Sequence, residues 1–105
     1  MAEIPVQIID TIKRFKERIR SELSVKKVIL FGSYANGNFS HESDIDVCVI
    51  AGKVTNNYHA MLKIAPRAVE VDTRIEAVVF SDEEFEETQS FGLLREIKSH
   101  GLEIK

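Results

Sequence analysis

The sequence predicts an α/β (α+β) domain, a small mixed sheet with helices packed mainly on one face, on three observations. An amphipathic helical pattern opens the chain, three short runs of apolar and β-forming residues follow, and a second helical pattern separates the last two runs. A helix placed between two strands marks a crossover, and its expected hand is right. With 105 residues, 44% of them hydrophobic, there is room for one compact domain spanning 1–105 and for one core.

Each element follows from its residues. Over residues 4–23, Ile8, Ile12, Phe15, Ile19 and Leu23 recur every three or four positions, and Pro5 suits a first turn, so this helix covers one sheet face. Val28-Ile29-Leu30-Phe31 is an apolar run ending at a glycine, a buried strand opening into a tight turn. Ser43 to Ile50 reads as a second strand. Residues 54–70 read as the crossover helix, with a kink, break or restart near Ala65 imposed by Pro66. Asp72 to Phe80 reads as the third strand. Ser81-Asp82-Glu83-Glu84 has the form of a capping box, so a short acidic helix starts there and, with an interruption, continues to Leu93–Ile97. Gly101 is a helix stop, and Leu102–Lys105 alternates apolar and charged as a short edge strand does.

The period of two within the strands sorts their side chains. Ile45, Val47 and Val49 face the helices with Ile75, Ala77 and Val79. Asp44, Asp46 and Glu76 face the other way, followed by Cys48, Ile50, Val78 and Phe80. A single sheet of this size would leave that apolar surface open beside its carboxylates, and a partner is expected to cover it.

The chemistry-bearing residues lie at the strand ends. Gly32 allows backbone to approach a ligand closely, Ser33 adds a hydroxyl, and a helix starting after Ser33 would turn unpaired amides and its positive end towards a phosphate. Asp44 and Asp46 stand two apart on a strand, so both carboxylates point one way and repel unless a cation lies between them. Two Mg²⁺ ions held there can stabilise the attacking and leaving oxygens of an in-line displacement. A third acidic ligand is wanted; Glu76, ahead of the run Ala77–Phe80, is favoured over Asp72 at the strand's entrance.

With Gly32-Ser33, ten residues, Asp44-Ile45-Asp46 and then Arg74-Ile75-Glu76 in hand, the chain resembles the minimal nucleotidyltransferases of the DNA polymerase β superfamily. Their hallmark is G-S, ten residues, D-x-D and a later acidic residue on a strand. At average usage those four fixed residues arise in that register in roughly one chain of this length in a thousand. The resemblance runs from the first helix through Phe80 and implies a polymerase β-like nucleotidyltransferase fold. It also implies a Mg²⁺-dependent enzyme using two ions and ATP or another nucleoside triphosphate, which moves a nucleoside monophosphate, AMP by family habit, to an acceptor hydroxyl. By the same resemblance Gly32 and Ser33 hold the β- and γ-phosphates, Asp44 and Asp46 bind both ions, and Glu76 completes the ion nearer the α-phosphorus and helps deprotonate the acceptor. Stand-alone members resemble the antitoxin of a toxin–antitoxin pair that adenylylates a tyrosine on a small helical HEPN-type toxin, so such a partner is implied; a homo-oligomer is a further expectation. One departure is Asn36 before Gly37, where many relatives have arginine; it removes one phosphate contact. The alternatives are a non-catalytic nucleotide-binding partner subunit and a small-molecule, antibiotic-type transferase, which usually carries an additional helical domain.

Composition bounds the acceptor and the setting. A net charge of −3, from 14 basic and 17 acidic residues, disfavours nucleic acid, because phosphate-backbone binders concentrate positive charge. One cysteine, Cys48, forms no internal disulfide, and neither a secretory signal nor a long apolar run is read, so a cytoplasmic protein without a membrane partner is expected. His41, His59 and His100 have no motif support, and Lys53, Arg74 and Tyr34 are left outside the site.

Overall fold

The computed structural model describes residues 3–105. Helix α1 (Val6–Ile19) buries Ile8, Ile12, Phe15 and Ile19 along the stripe that the spacing predicts. It is shorter than 4–23 because Pro5 stands just before it in extended conformation and the chain turns out after Ile19. Strand β1 (Ser24–Phe31) leads through the one-turn helix α2 (Ser33–Asn36) and a loop into β2 (Ile45–Gly52). Helix α3 (Asn57–Val71) carries the chain to β3 (Ile75–Ser81), and α4 (Asp82–Glu86), α5 (Gly92–His100) and the two-residue β4 (Leu102–Glu103) complete it.

The sheet is mixed, as expected, in the order β3-β2-β1-β4. β1 runs antiparallel to both β2 and β4, whereas β2 and β3 are parallel. Parallel neighbours need a crossover, and α3 supplies it. Asn56 caps α3, its side chain accepting from the His59 amide at 3.0 Å. Pro66 neither breaks nor restarts the helix, which is continuous through it. The carbonyl that its missing N–H would have engaged belongs to Leu62, on the exposed side, where it is open to solvent.

Side chains sort by the period of two. Val28, Leu30, Ile45, Val47, Val49, Ile75 and Val79 pack with Ile12, Phe15, Ile19 and Ile64 of α1 and α3 in the main core. The opposite face departs from expectation. Cys48 and Ile50 are fully buried by this chain's own α5, with Ile97 beneath it, while Phe85 of α4 packs against their edge. A nine-residue helix is marginal alone, but burying Ile97 and Leu94 at roughly 1.5–3 kcal/mol each holds it down. No partner is needed over Cys48 and Ile50; among the described residues the exposed large apolar side chains are instead Val6 on α1, Phe91 and Leu93 at the start of α5, and Tyr58, Leu62 and Val69 on α3.

The Ser81 capping box forms in full, with the Glu84 amide donating to the Ser81 hydroxyl at 3.1 Å and the Ser81 amide to the Glu84 carboxylate at 3.0 Å. Gly101 follows α5 with an ordinary negative φ, so its smallness serves packing: a Cβ there would strike Ile29 and the Ile97 carbonyl. Among the described residues no helix is long and apolar enough to cross a membrane.

Truncation of Ile97 to Ala is expected to cost about 2–4 kcal/mol of unfolding free energy by urea titration. A cost under about 1 kcal/mol would show that α5 does not close the second face.

Candidate active site

Strand β1 ends at Phe31, which pairs with Asp46 on β2, and the chain turns sharply at Gly32. Gly32 has φ 75° and ψ −148°, a region that side-chain-bearing residues rarely enter. A Cβ at Gly32 would also collide with the Asp46 carboxylate, so backbone conformation and close approach both demand glycine. The turn after it is only Ser33–Asn36, closed by Gly37 at φ 82°. Its dipole is therefore small. What it offers an anion is its leading amides, uncapped by any side chain because Gly32 has none, and the half-buried Ser33 hydroxyl.

Asp46 lies within β2 as its one polar side chain, half-buried, and the parallel register sets Glu76 of β3 directly beside it. Paired residues share a face, so the two carboxylates project together. Asp44 stands one residue ahead of β2 rather than inside it, because the ladder with β3 begins at Ile45, whose amide donates to the Arg74 carbonyl at 2.8 Å. Asp44 is exposed and still close enough to act on Asp46. Burial first, then the Glu76 charge, then the Asp44 charge, raise the Asp46 pKa above the ordinary aspartate value. Among the described residues no three carboxylate, histidine or cysteine groups close on one point tightly enough to enclose a metal ion.

Asp72 belongs elsewhere. It ends α3 instead of opening β3, which starts three residues later, and the Arg74 guanidinium forks onto it at 3.1 and 2.8 Å. Those bonds lower the Asp72 pKa. Of the two acidic candidates, Glu76 is the one beside Asp46. Arg74 is the residue that sequence reasoning passed over; the Asp-x-Arg spacing where a helix meets a strand is its signal. Cys48 is chemically idle, its buried thiol pushed up to about 12. His41 is exposed in the loop, where its carbonyl accepts from Arg74 at 3.0 Å.

Asp44 and Glu76 are exposed, and Asp46 is half-buried. Two concavities of about 420 Å³ lie elsewhere, one along Thr88–Phe91 and α5 and one between the N-terminus of α1 and Tyr34, Phe39 and Arg74. Neither contains Asp44, Asp46 or Glu76.

A family model described as a nucleotidyltransferase domain matches residues 12–103. Two proteins of Methanocaldococcus jannaschii, each named "Putative protein adenylyltransferase", are similar over most of the chain. One is 32% identical over 104 residues, 94% of this chain and 100% of that protein; the other is 34% identical over 92 residues, 86% and 90%. A solved structure of "a putative nucleotidyltransferase" from Sulfolobus solfataricus superposes with a TM-score of 0.63 at 22% identity, covering 75% of this chain and 71% of that one. A toxin-antitoxin structure with AMP-PNP gives 0.65 at 23% identity, covering 92% and 72%. At those identities the likeness is one of fold.

Gly32→Ala is expected to destabilise the fold by about 1–3 kcal/mol from the forced backbone conformation. It should also displace Asp46, and a shift near 1 Å lowers activity by roughly 10²-fold. Wild-type stability and activity in that variant would remove the geometric argument for the turn.

Proposed function

The chain belongs to the nucleotidyltransferase domain family and is a nucleotidyl-transferring enzyme; we propose that it moves AMP from ATP to a hydroxyl on a partner protein, with residues 1–105 acting as one catalytic domain. The observation that carries this reading is the register pair Asp46–Glu76, with Asp44 adjacent and the uncapped Gly32–Ser33 turn at the neighbouring strand end. Hard carboxylate oxygens are the donors that Mg²⁺ takes. Mg²⁺ is commonly held by one or two carboxylates together with substrate phosphates, not by an all-protein cage, which fits an arrangement this open. The crowding at Asp46 is what a cation would relieve.

In this reading the turn amides and the Ser33 hydroxyl donate to the β- and γ-phosphates and hold the triphosphate in line. Asp44, Asp46 and Glu76 are the residues that would hold the two Mg²⁺ ions. Mg²⁺ bound there would supply positive charge against the phosphate oxygens and the departing pyrophosphate. The acceptor oxygen forms a bond to the α-phosphorus as the bridge from α- to β-phosphate breaks. Pyrophosphate leaves with the bridging electron pair, and Glu76 takes the hydroxyl proton.

A protein acceptor is supported by the name of the Methanocaldococcus relatives and by the openness of the site, since small-molecule sites usually enclose most of their ligand. Two structural neighbours, one of them a mutant of the toxin-antitoxin MntA-HpeT at TM-score 0.61, were solved as toxin-antitoxin assemblies. We therefore read this chain as the antitoxin of such a pair, with a small helical HEPN-type toxin as acceptor.

Incubation with α-labelled ATP, Mg²⁺ and the neighbouring gene's product, followed by intact-mass measurement, is expected to show one AMP added to that partner. The Asp44→Asn, Asp46→Asn double variant should keep the complex and lose transfer by roughly 10²–10³-fold or more. Transfer undiminished in the double variant would overturn the assignment.

A further inference from the structure

Arg74 grips both flanks of Asp44. Its guanidinium Nη1 donates to the His41 carbonyl at 3.0 Å, three residues before Asp44, and its own carbonyl accepts from the Ile45 amide at 2.8 Å, one residue after. The rest of the side chain is tied down. Nε and Nη2 fork onto Asp72, whose amide bonds Ala68 at 2.9 Å, so the anchor is the last turn of α3. Nη1 also reaches the Tyr34 hydroxyl at 3.5 Å, which donates to the Ser40 carbonyl at 3.2 Å, and the Tyr34 ring stacks on Phe39 with centroids 4.6 Å apart. The loop between α2 and β2 is thus held at Phe39, Ser40, His41 and Ile45, and Asp44 is the carboxylate it presents.

We propose that Arg74 is a positioning residue which, braced by Asp72, fixes the loop carrying Asp44 and so sets the distance of that carboxylate from Asp46 and Glu76. The inference rests on the cation-binding reading of those three residues given above. The work needs a planar fork: two nitrogens are spent on Asp72 and a third on the loop, which a lysine ammonium cannot reproduce. Groups that orient metal-binding carboxylates without touching the ion commonly set affinity by 10–100-fold.

The sign of the effect separates positioning from charge. Arg74 is a cation near the site, so if its charge alone mattered, its removal would tighten divalent-cation binding. A positioning role requires the reverse.

The test is Mn²⁺ titration of the full chain, followed by electron paramagnetic resonance of free Mn²⁺, with thermal melting of each variant alongside. Arg74→Ala is expected to weaken Mn²⁺ binding by roughly 10–100-fold at temperatures where the variant is folded, and Asp72→Asn and Arg74→Lys by lesser amounts in the same direction. If Arg74→Ala does not fold, Arg74→Lys carries the prediction, because a charge-only role leaves its affinity unchanged. Asp46→Asn is the control for the site. Should Asp46→Asn lose Mn²⁺ while the Arg74 variants bind as tightly as wild type or more tightly, with only their melting lowered, the positioning role is overturned and the site reading stands. Should Asp46→Asn bind Mn²⁺ as wild type does, the site reading falls and this inference with it.

Discussion

The arrangement depends on one unfavourable contact, the parallel pairing that sets Asp46 against Glu76. Two carboxylates side by side on neighbouring strands repel, and aspartate is already a poor strand residue. Asp46 is half-buried as well, so its charge is both crowded and partly desolvated. Such a pair persists only when the surrounding structure over-determines it, and here the determinants can be named.

The first is the burial of β2. Apart from Asp46 its side chains are buried on both faces, by α1 and α3 on one side and by α5 with Ile97 on the other. Slipping the register by one residue would turn Val47 and Val49 out of the main core and drive Asp46 into it, which costs far more than the repulsion. The second is Gly32, which lets the end of β1 lie against the Asp46 carboxylate where any side chain would collide. The third is the backbone ladder that starts at Ile45, which leaves Asp44 just outside the sheet. Stability is thus spent to concentrate negative charge at one strand end, the usual sign of a functional site.

How much of this is legible in the sequence depends on how local the cause is. The alternation of Ile45, Val47 and Val49 with Asp46, Cys48 and Ile50 is a property of consecutive residues, and the two faces follow from it. The glycine after Val28–Phe31 and the box at Ser81–Glu84 are equally local, and both form. Where β2 and β3 begin is not local. Residue pattern alone puts Asp44 and Asp72 in strands, yet the ladder starts at Ile45 and Ile75 because Asp72 ends α3 and Arg74 turns to hold the loop across 33 residues of chain. The covering of Cys48 by Ile97 spans a still longer separation, so the open apolar face anticipated beside the carboxylates is largely closed. Pro66 was expected to interrupt α3, and the exposure that leaves the Leu62 carbonyl open to solvent is visible only in the packed structure.

The central claim is that Asp46 carries a charge the fold disfavours and a divalent cation relieves, and melting of wild type and Asp46→Asn at pH 7, with and without Mg²⁺, tests it most directly. A carboxyl whose folded pKa is raised costs nothing well below its unfolded value near 3.8; the cost grows as pH climbs and is complete once pH has passed the folded value. Without Mg²⁺, Asp46→Asn should melt higher than wild type by roughly 2–4 °C, because solvent screening at a half-exposed carboxylate holds the penalty to about 0.5 kcal/mol. Mg²⁺ should raise wild type and leave the variant nearly unmoved. A variant that melts below wild type at pH 7, with Mg²⁺ shifting both proteins equally, would contradict the account.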